Sequence, residues 1–485
     1  MADQPQPQVS EASQAADEAP PMPATVEQCH VVIGQLTDEL KAMRLAIEAL
    51  TERVSLNSRN SSKPPSSDGP GRGGRSARSS GTGRKRGAQK GHTGSFRALL
   101  PESQVDRVQD CKPPERCACG CTVEVTGQPR RHQVFDLPPM IKPVVSEYRL
   151  YTGVCRGCRR AHAAQLPASV PSGQIGPRAL GLVGMLGTRF QMPQMKIRDL
   201  MAQLLGIDFS VGAISQAQGK LAQALDAPVH AAMAEARKAG AVHVDETPYP
   251  GESSKGNWAW SVVLPQAALY TVLPSRARYV FTSLLGDRPA GVVITDRYSA
   301  YAHLPSERRQ VCWAHLLRDF RRIAERSGAA GEVGRRLLGL GYVMFRRRHR
   351  LSEADAPSCR TDLAGVRVRV RQALERGAAL LGCPRTATTC ANLLKIEPAL
   401  WTFTTHAEVP PTNNSAEQAL RPVVLKRKIS GPTRSRRGAN FIARGFSVAE
   451  TCRRQGRDLL DYLQRSVCAW IDKTEPPQLL KPVLV

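Results

Sequence analysis

Apolar residues change their period several times along the chain, and each change marks an element. The first clear period is helical. Val26, Cys29, Ile33, Leu36, Leu40, Met43, Ile47, Leu50 and Val54 fall alternately three and four residues apart, with polar residues between them. So narrow a stripe is the a/d seam of a coiled coil, whereas a globular helix carries a wider apolar face. Residues 25–57 are therefore expected to form a helix that pairs with a second copy of itself. An amphipathic helix packed on its own domain is the alternative. Residues 169–240 carry a broader helical period. Within them KIRDLMAQLLGIDFSVGAISQAQGKL reads as helix–turn–helix, with Gly206 as the left-handed turn residue and Ser210 as the next N-cap. The second helix would offer Gln216, Gln218 and Lys220 to a DNA groove. Two packed helices with no such role fit the pattern as well.

From residue 241 the period shortens to two. AVHVDETPY, NWAWSVVLP and AALYTVLP read as three strands joined by turns. RARYVFTSLLGD reads as a helix, GVVITD as a fourth strand, RYSAYAHL as a short helix and RQVCWAH as a fifth strand. Three meandering strands followed by alternating helix and strand predict a mixed α/β sheet. Residues 316–408 then read as almost wholly helical and Arg-rich, and 412–466 as helical again.

Composition adds what periodicity leaves out. With 485 residues the chain is long enough for several domains. Residues 1–24 are too polar to build a core and are expected to be disordered. Residues 58–98 are rich in Gly, Ser, Pro and basic side chains, and are expected to form a flexible arm. Arg84, Lys85, Arg86 and Lys90 would there neutralise DNA phosphates without reading bases. The net charge of +26 favours a polyanionic partner, most simply nucleic acid. No apolar run is long enough to span a bilayer and no signal pattern opens the sequence, so a cytoplasmic, nucleoid-associated protein is expected. Thirteen cysteines should then be reduced or metal-bound.

Two cysteine groups have the character of a zinc ribbon spanning residues 99–168. Cys155-Arg-Gly-Cys158 is a regular knuckle. Cys117-Ala-Cys119-Gly-Cys121 is an irregular one. Cys117 and Cys119 are its first-choice ligands and Cys121 the alternative, with Cys111 and His132 as further candidates. Such a zinc would be structural, with no open position for chemistry.

Three acidic residues carry the candidate chemistry. Asp245 closes the first strand, Asp296 the fourth, and Glu417 opens a helix. If strands one and four are neighbours, both aspartates lie at one sheet edge. Carboxylates held close repel unless cations offset their charge, and an all-oxygen site suits magnesium. Two such ions can serve phosphodiester cleavage, so a metal-dependent nuclease is predicted. Each acid also has a plainer use. Asp245 could be a turn residue, with Glu246 or neither as ligand; Asp296 could cap a helix; and Asn414-x-x-Glu417 is a capping-box pattern. Cys312-Trp-Ala-His315 is expected as a buried thiol and a helix-start His near the site, with His315 touching a phosphate or orienting a carboxylate.

Taken in order, the N-terminal helix, NSSKPPSSDG, the paired cysteine groups, VDET, TDRYSAY, CWAH and TNNSAEQALRP resemble a transposase of the insertion sequence 66 family. The likeness covers most of the chain, with one departure at Cys117-Ala-Cys119-Gly, where the family's C-x-x-C-G is altered. It implies a ribonuclease-H-like catalytic core over 241–430 with a helical insertion at 316–408, followed by a helical region over 431–485. It implies an Asp-Asp-Glu triad of Asp245, Asp296 and Glu417 that holds two magnesium or manganese ions and catalyses end cleavage and strand transfer. Asn413 and Asn414 would then position Glu417 or the DNA backbone, and Arg421, Lys426, Arg427 and Lys428 would bind phosphates. The partners implied are element ends, target DNA and small accessory proteins. An inactive DNA-binding regulator and another ribonuclease-H-fold nuclease are the alternatives.

Overall fold

The computed structural model describes residues 25–61, 98–125, 127–138, 141–251, 256–351, 356–431 and 433–480. The expected disordered segment 1–24 and the basic-arm residues Arg84, Lys85, Arg86 and Lys90 lie outside them. The chain divides into two units, Met1–Gly73 and Gly74–Val485.

The described residues of the first unit include one long helix, α1 (Val26–Ser55). A reciprocal capping box starts it: Gln28 N–H donates to Thr25 Oγ1, and Thr25 N–H to Gln28 Oε1. Val26, Ile33, Leu36, Leu40, Met43, Ile47, Leu50 and Val54 are all exposed along it.

In the second unit a 3-10 turn (Glu102–Gln104) precedes a small hairpin of β1 (Thr152–Val154) and β2 (Ala161–Ala163). Four helices follow: α2 (Pro177–Thr188), α3 (Gln194–Leu205), α4 (Val211–Ala224) and α5 (Asp226–Ala236). The turn between α3 and α4 is built as its sequence predicts, with Gly206 at φ 63° and Ser210 Oγ accepting from Ala213 N–H. Of the three residues expected on the outer face of α4, Gln216 is exposed, Lys220 is half-buried and Gln218 is turned inward. Helices α2 and α3 and the two last helices of the chain (Arg436–Gln455 and Leu459–Asp472) pack on α4, and Ile214, Ala217, Gln218, Gly219, Leu221 and Ala222 are buried. Gln218, expected on an exposed face, accepts a hydrogen bond from Gln194 Nε2 at 2.9 Å.

The sheet comprises β3 (Ala241–Tyr249), β4 (Asn257–Leu264), β5 (Ala267–Leu273), β6 (Val292–Thr295) and β7 (Arg309–Val311), in the order β5-β4-β3-β6-β7. The first three pair antiparallel; β6 and β7 add on parallel to β3. Helix α6 (Arg278–Leu285) links β5 to β6. Where a second helix was expected after Asp296 there is one 3-10 turn, Ser299–Tyr301. Helices α7 (Trp313–Ala324), α8 (Gly328–Arg350), α9 (Ala356–Ala378) and α10 (Pro384–Lys395) form the expected helical stretch after β7. The chain returns through α11 (Asn414–Ser430), α12 (Arg436–Gln455) and α13 (Leu459–Asp472).

Two cores result. One joins α2–α6, most of the sheet and α11–α13, so the helices before the sheet and those at the end of the chain share a single interior with it. The other lies under β6 and β7 and is filled from α7–α10, with Trp313 against Trp401 and Phe320. Side chains from α12 reach the edge strand β5: Ser447 Oγ accepts from Tyr270 N–H and Thr451 Oγ1 from Ala268 N–H. That satisfies backbone donors which an open edge would leave free for another strand.

Candidate active site

Asp245 sits mid-strand in β3, not at its end. The antiparallel partner β4 carries β3 on to Tyr249, while the parallel partner β6 stops at Thr295. Ala241 pairs with Val292 and His243 with Ile294, and the same register carried two residues on sets Asp245 level with Asp296. Two carboxylates therefore emerge side by side where two parallel strands part.

Each aspartate is braced by backbone. Asp245 Oδ1 accepts Glu246 N–H at 2.9 Å. Asp296 Oδ1 accepts Tyr298 N–H at 2.8 Å, an Asx-type turn that leaves the second oxygen clear of it. Buried Arg309 holds the Asp296 carbonyl at 2.8 Å and also reaches Thr295 Oγ1 and the Tyr301 carbonyl. Burial pushes the Asp245 carboxyl well above its ordinary range, and the negative charges of Glu246, Asp296 and Glu417 push it further.

Glu417 lies in the first turn of α11. The capping-box alternative fails, because Asn413 is the N-cap, Asn414 is the first helical residue, and no side chain caps the helix. The Glu417 carboxylate instead faces α7, with Oε2 3.4 Å from Arg318 Nη2 and Oε1 3.6 Å from His315 Nδ1. Asn413 ties this helix start to the strand of Asp245. Its Nδ2 donates to the Val244 carbonyl at 2.8 Å, its Oδ1 meets His243 Nδ1 at 2.9 Å, and its N–H donates to Cys312 Sγ at 3.1 Å. His243 and Asp245 share one face of β3 by the two-residue period, so Asn413 reaches the face that carries Asp245. Asn414 itself is exposed.

A fourth acid is built into the site. Glu246 points to the face of Val242 and Val244, its side chain only 4% exposed. Tyr301 donates its hydroxyl to Glu246 Oε2, and Arg276 Nε lies 3.7 Å from Oε1. Arg276 in turn stacks on Tyr298, 3.4 Å from the ring centroid, and on Trp258 at 4.6 Å. Burial raises the Glu246 carboxyl to about 7. Sequence reading held Glu246 only as a substitute for Asp245; the alternation Val242, Val244, Glu246 was the signal of its buried face.

Among the described residues one group of three potential metal ligands has donor atoms all within 4.8 Å of one another: Cys312, His315 and Glu417. Asp245 and Asp296 stand outside it. The cysteines expected to form a ribbon make two local groups. Cys119 touches the thiols of Cys117 and Cys121, and a backbone hydrogen bond from Cys121 leads the effects that lower its pKa. Cys155 is lowered first by the Cys158 backbone and then by the Cys158 thiol, in a turn closed by Arg159 N–H on the Cys155 carbonyl. Cys111 and His132 are exposed.

The basic residues of α11 do not act alike. Arg421 and Lys428 are exposed and Arg427 is half-buried. Arg421 lines an open cleft of about 410 Å³ with Arg189 and Arg453. Lys426 is a correction: it is 5% exposed, donates to the Met192 carbonyl at 2.7 Å, and is pulled down to about 8 by burial. It follows Ala416, Ala419 and Val423 on the inward stripe of the helix, which keeps it off the surface.

No helix among the described residues is long and apolar enough to cross a membrane. The family described as Transposase IS66 family matches residues 172–441. A second family, of unknown function, matches residues 4–98. Uncharacterized protein y4qI of Sinorhizobium fredii is 23% identical over 413 residues, which is 75% of this chain and 72% of that protein. Since the first match takes in more than half of the chain, from α2 through the sheet to the start of α12, the chain belongs to the IS66 transposase family.

Proposed function

We propose that the protein is a DNA transposase that cleaves the ends of its element at Asp245, Asp296 and Glu417 and joins the freed 3′ ends to target DNA. The observation that carries this reading is the meeting of three chain segments. Asp245 and Asp296 stand level on adjacent parallel strands, and Asn413 anchors the helix start of Glu417 to the strand of Asp245. Family membership supports a nucleic-acid-processing enzyme. The order β5-β4-β3-β6-β7, with three antiparallel strands, two parallel additions and helices between β7 and α11, supports a ribonuclease-H-like core with a helical insertion.

The residues fit divalent cations. Asp245 is buried beside three other acids, so its charged form is unfavourable until positive charge is supplied. Asp245, Asp296 and Glu417 would hold magnesium or manganese. Donors spread over more than one cluster would suit a pair of ions. When bound, such ions lower the pKa of an attacking water and stabilise the leaving oxygen. The chain's own share is placement. Arg309 fixes the Asp296 backbone, Asn413 fixes the approach of α11, and Arg318 holds the Glu417 carboxylate. Exposed Arg421 and Lys428, with half-buried Arg427, would contact phosphates, as would Arg84, Lys85, Arg86 and Lys90 of the arm.

Cys155 and Cys158, with two of Cys117, Cys119 and Cys121, would hold a structural zinc; lowered pKa values at Cys119 and Cys155 suit thiolate ligands. The exposed stripe of α1 fits a second copy of the same helix. The test is incubation of the protein with magnesium and a duplex carrying the DNA that flanks the gene. Nicks that leave a 3′-OH at inverted ends are expected. Binding without cleavage, with the correct ends and every divalent ion tried, would overturn the proposal in favour of an inactive regulator.

A further inference from the structure

Cys312, His315 and Glu417 form a cluster that the proposed reaction leaves partly unused. Cys312 is the N-cap of α7 and fully buried; His315 is three residues on, so both lie on one side of the helix start. Glu417 faces them from α11. One donor atom from each residue lies within 4.8 Å of the other two. His315 Nδ1 and Glu417 Oε1 are 3.6 Å apart, both are buried, and neither has a hydrogen-bond partner. Stranding two buried polar atoms face to face costs free energy unless something lies between them. In a tetrahedral zinc site with bonds of about 2.0 Å, a nitrogen and an oxygen ligand stand about 3.3 Å apart. The Asn413 N–H aimed at Cys312 Sγ from 3.1 Å is the kind of donor that supports a metal-bound thiolate.

We propose that Cys312, His315 and Glu417 bind one divalent cation of the zinc class, and that this ion inhibits cleavage by occupying Glu417. The inhibitory half rests on the reading of Glu417 as the third catalytic carboxylate. The donor set chooses the ion. Thiolate and imidazole suit zinc, cobalt or cadmium, whereas magnesium takes oxygen ligands and would be left to the aspartates. Binding transfers the thiol proton of Cys312 to solvent and leaves a fourth coordination position open. The site would therefore read the ratio of zinc to magnesium through a single shared carboxylate.

Cobalt(II) is the probe. Full-length protein carrying Cys155→Ser and Cys158→Ser, which removes the ribbon knuckle, is stripped of metal and titrated with cobalt. A sulfur-to-cobalt charge-transfer band that vanishes with the further change Cys312→Ser is expected. Glu417→Gln, on the other element, should keep the band and weaken cobalt binding at least about tenfold. Absence of a Cys312-dependent band, or unchanged affinity in Glu417→Gln, overturns the site. The second arm adds zinc beyond the ribbon's equivalent to magnesium-supported cleavage. Inhibition of about tenfold or more is expected in the parent protein and little in Cys312→Ser. Equal inhibition of both overturns the regulatory half. A parent protein that cleaves nothing refutes the transposase reading and the inhibition with it, while the cobalt spectra still decide the site.

Discussion

Glu246 offers a quantitative test of how the site is buried. Its carboxyl is raised to about 7 from an ordinary value of 4.5, first by burial and then by Asp296, while Tyr301 and Arg276 oppose the shift. The shift, 7 minus 4.5, is worth about 3 kcal/mol at roughly 1.4 kcal/mol per unit. The sign follows from proton uptake. Below the unfolded value both states hold the proton, and the group adds no pH dependence. Between 4.5 and about 7 the folded state keeps a proton that the unfolded chain releases, so stability falls as pH rises. Above about 7 both states are ionised and the full penalty remains. Glu246→Gln cannot titrate and keeps an oxygen for the Tyr301 hydroxyl. Urea unfolding, followed by tryptophan fluorescence in chelator from pH 4.5 to 8, measures the difference between variant and parent. That difference should move in favour of the variant by about 3 kcal/mol across the range. A difference constant to within about 0.5 kcal/mol would show that Glu246 is not held neutral by the fold.

Three further outcomes are expected. Asn413→Ala strands the Val244 carbonyl and the His243 ring nitrogen inside the protein, and should cost about 2–4 kcal/mol of unfolding free energy and most of the cleavage rate; a loss under about 0.5 kcal/mol would contradict the anchoring role. Gly291→Ala would set a Cβ 2.0 Å from the Gly240 carbonyl oxygen, where backbone leaves no room. It should cost at least about 1–3 kcal/mol, read as a lower urea midpoint, and an unshifted midpoint would refute that packing. Metal analysis should find that Cys155→Ser and Cys158→Ser together lower the zinc content by one ion per chain; a content equal to that of the parent would exclude the ribbon.

Strands β3, β4 and β5 were legible because alternation and turn residues agreed there, and they lie where AVHVDETPY, NWAWSVVLP and AALYTVLP place them; the fifth, expected over RQVCWAH, ends at Val311, with Cys312 as N-cap and Trp313 as first residue of α7. The adjacency of β3 and β6 followed from the meander and crossover pattern. The inward turn of Gln218 was not legible, because it depends on how α2 and α3 pack on α4 and bring Gln194 to its side chain. Gly184 lets Leu221 approach so closely that a Cβ there would meet its Cδ2 at 2.0 Å, drawing α4 into the core. Lys426 could have been read correctly, since it continues the spacing of Ala416, Ala419 and Val423. Glu417 could not. Its capping alternative was a local pattern, and what displaced it was contact with Arg318 and His315 on α7, across the helical stretch between. A local string specifies a cap; only the fold brings α7 beside α11.

The central claim is that Asp245, Asp296 and Glu417 form one catalytic site. The most direct measurement is magnesium-dependent cleavage of element-end duplex by Asp245→Asn, Asp296→Asn and Glu417→Gln, each compared with the parent at equal DNA occupancy. All three should bind the ends as the parent does and lose cleavage by at least about a thousandfold, equivalent to about 4 kcal/mol of transition-state stabilisation. Cleavage at the parental rate by any one of them would contradict the site.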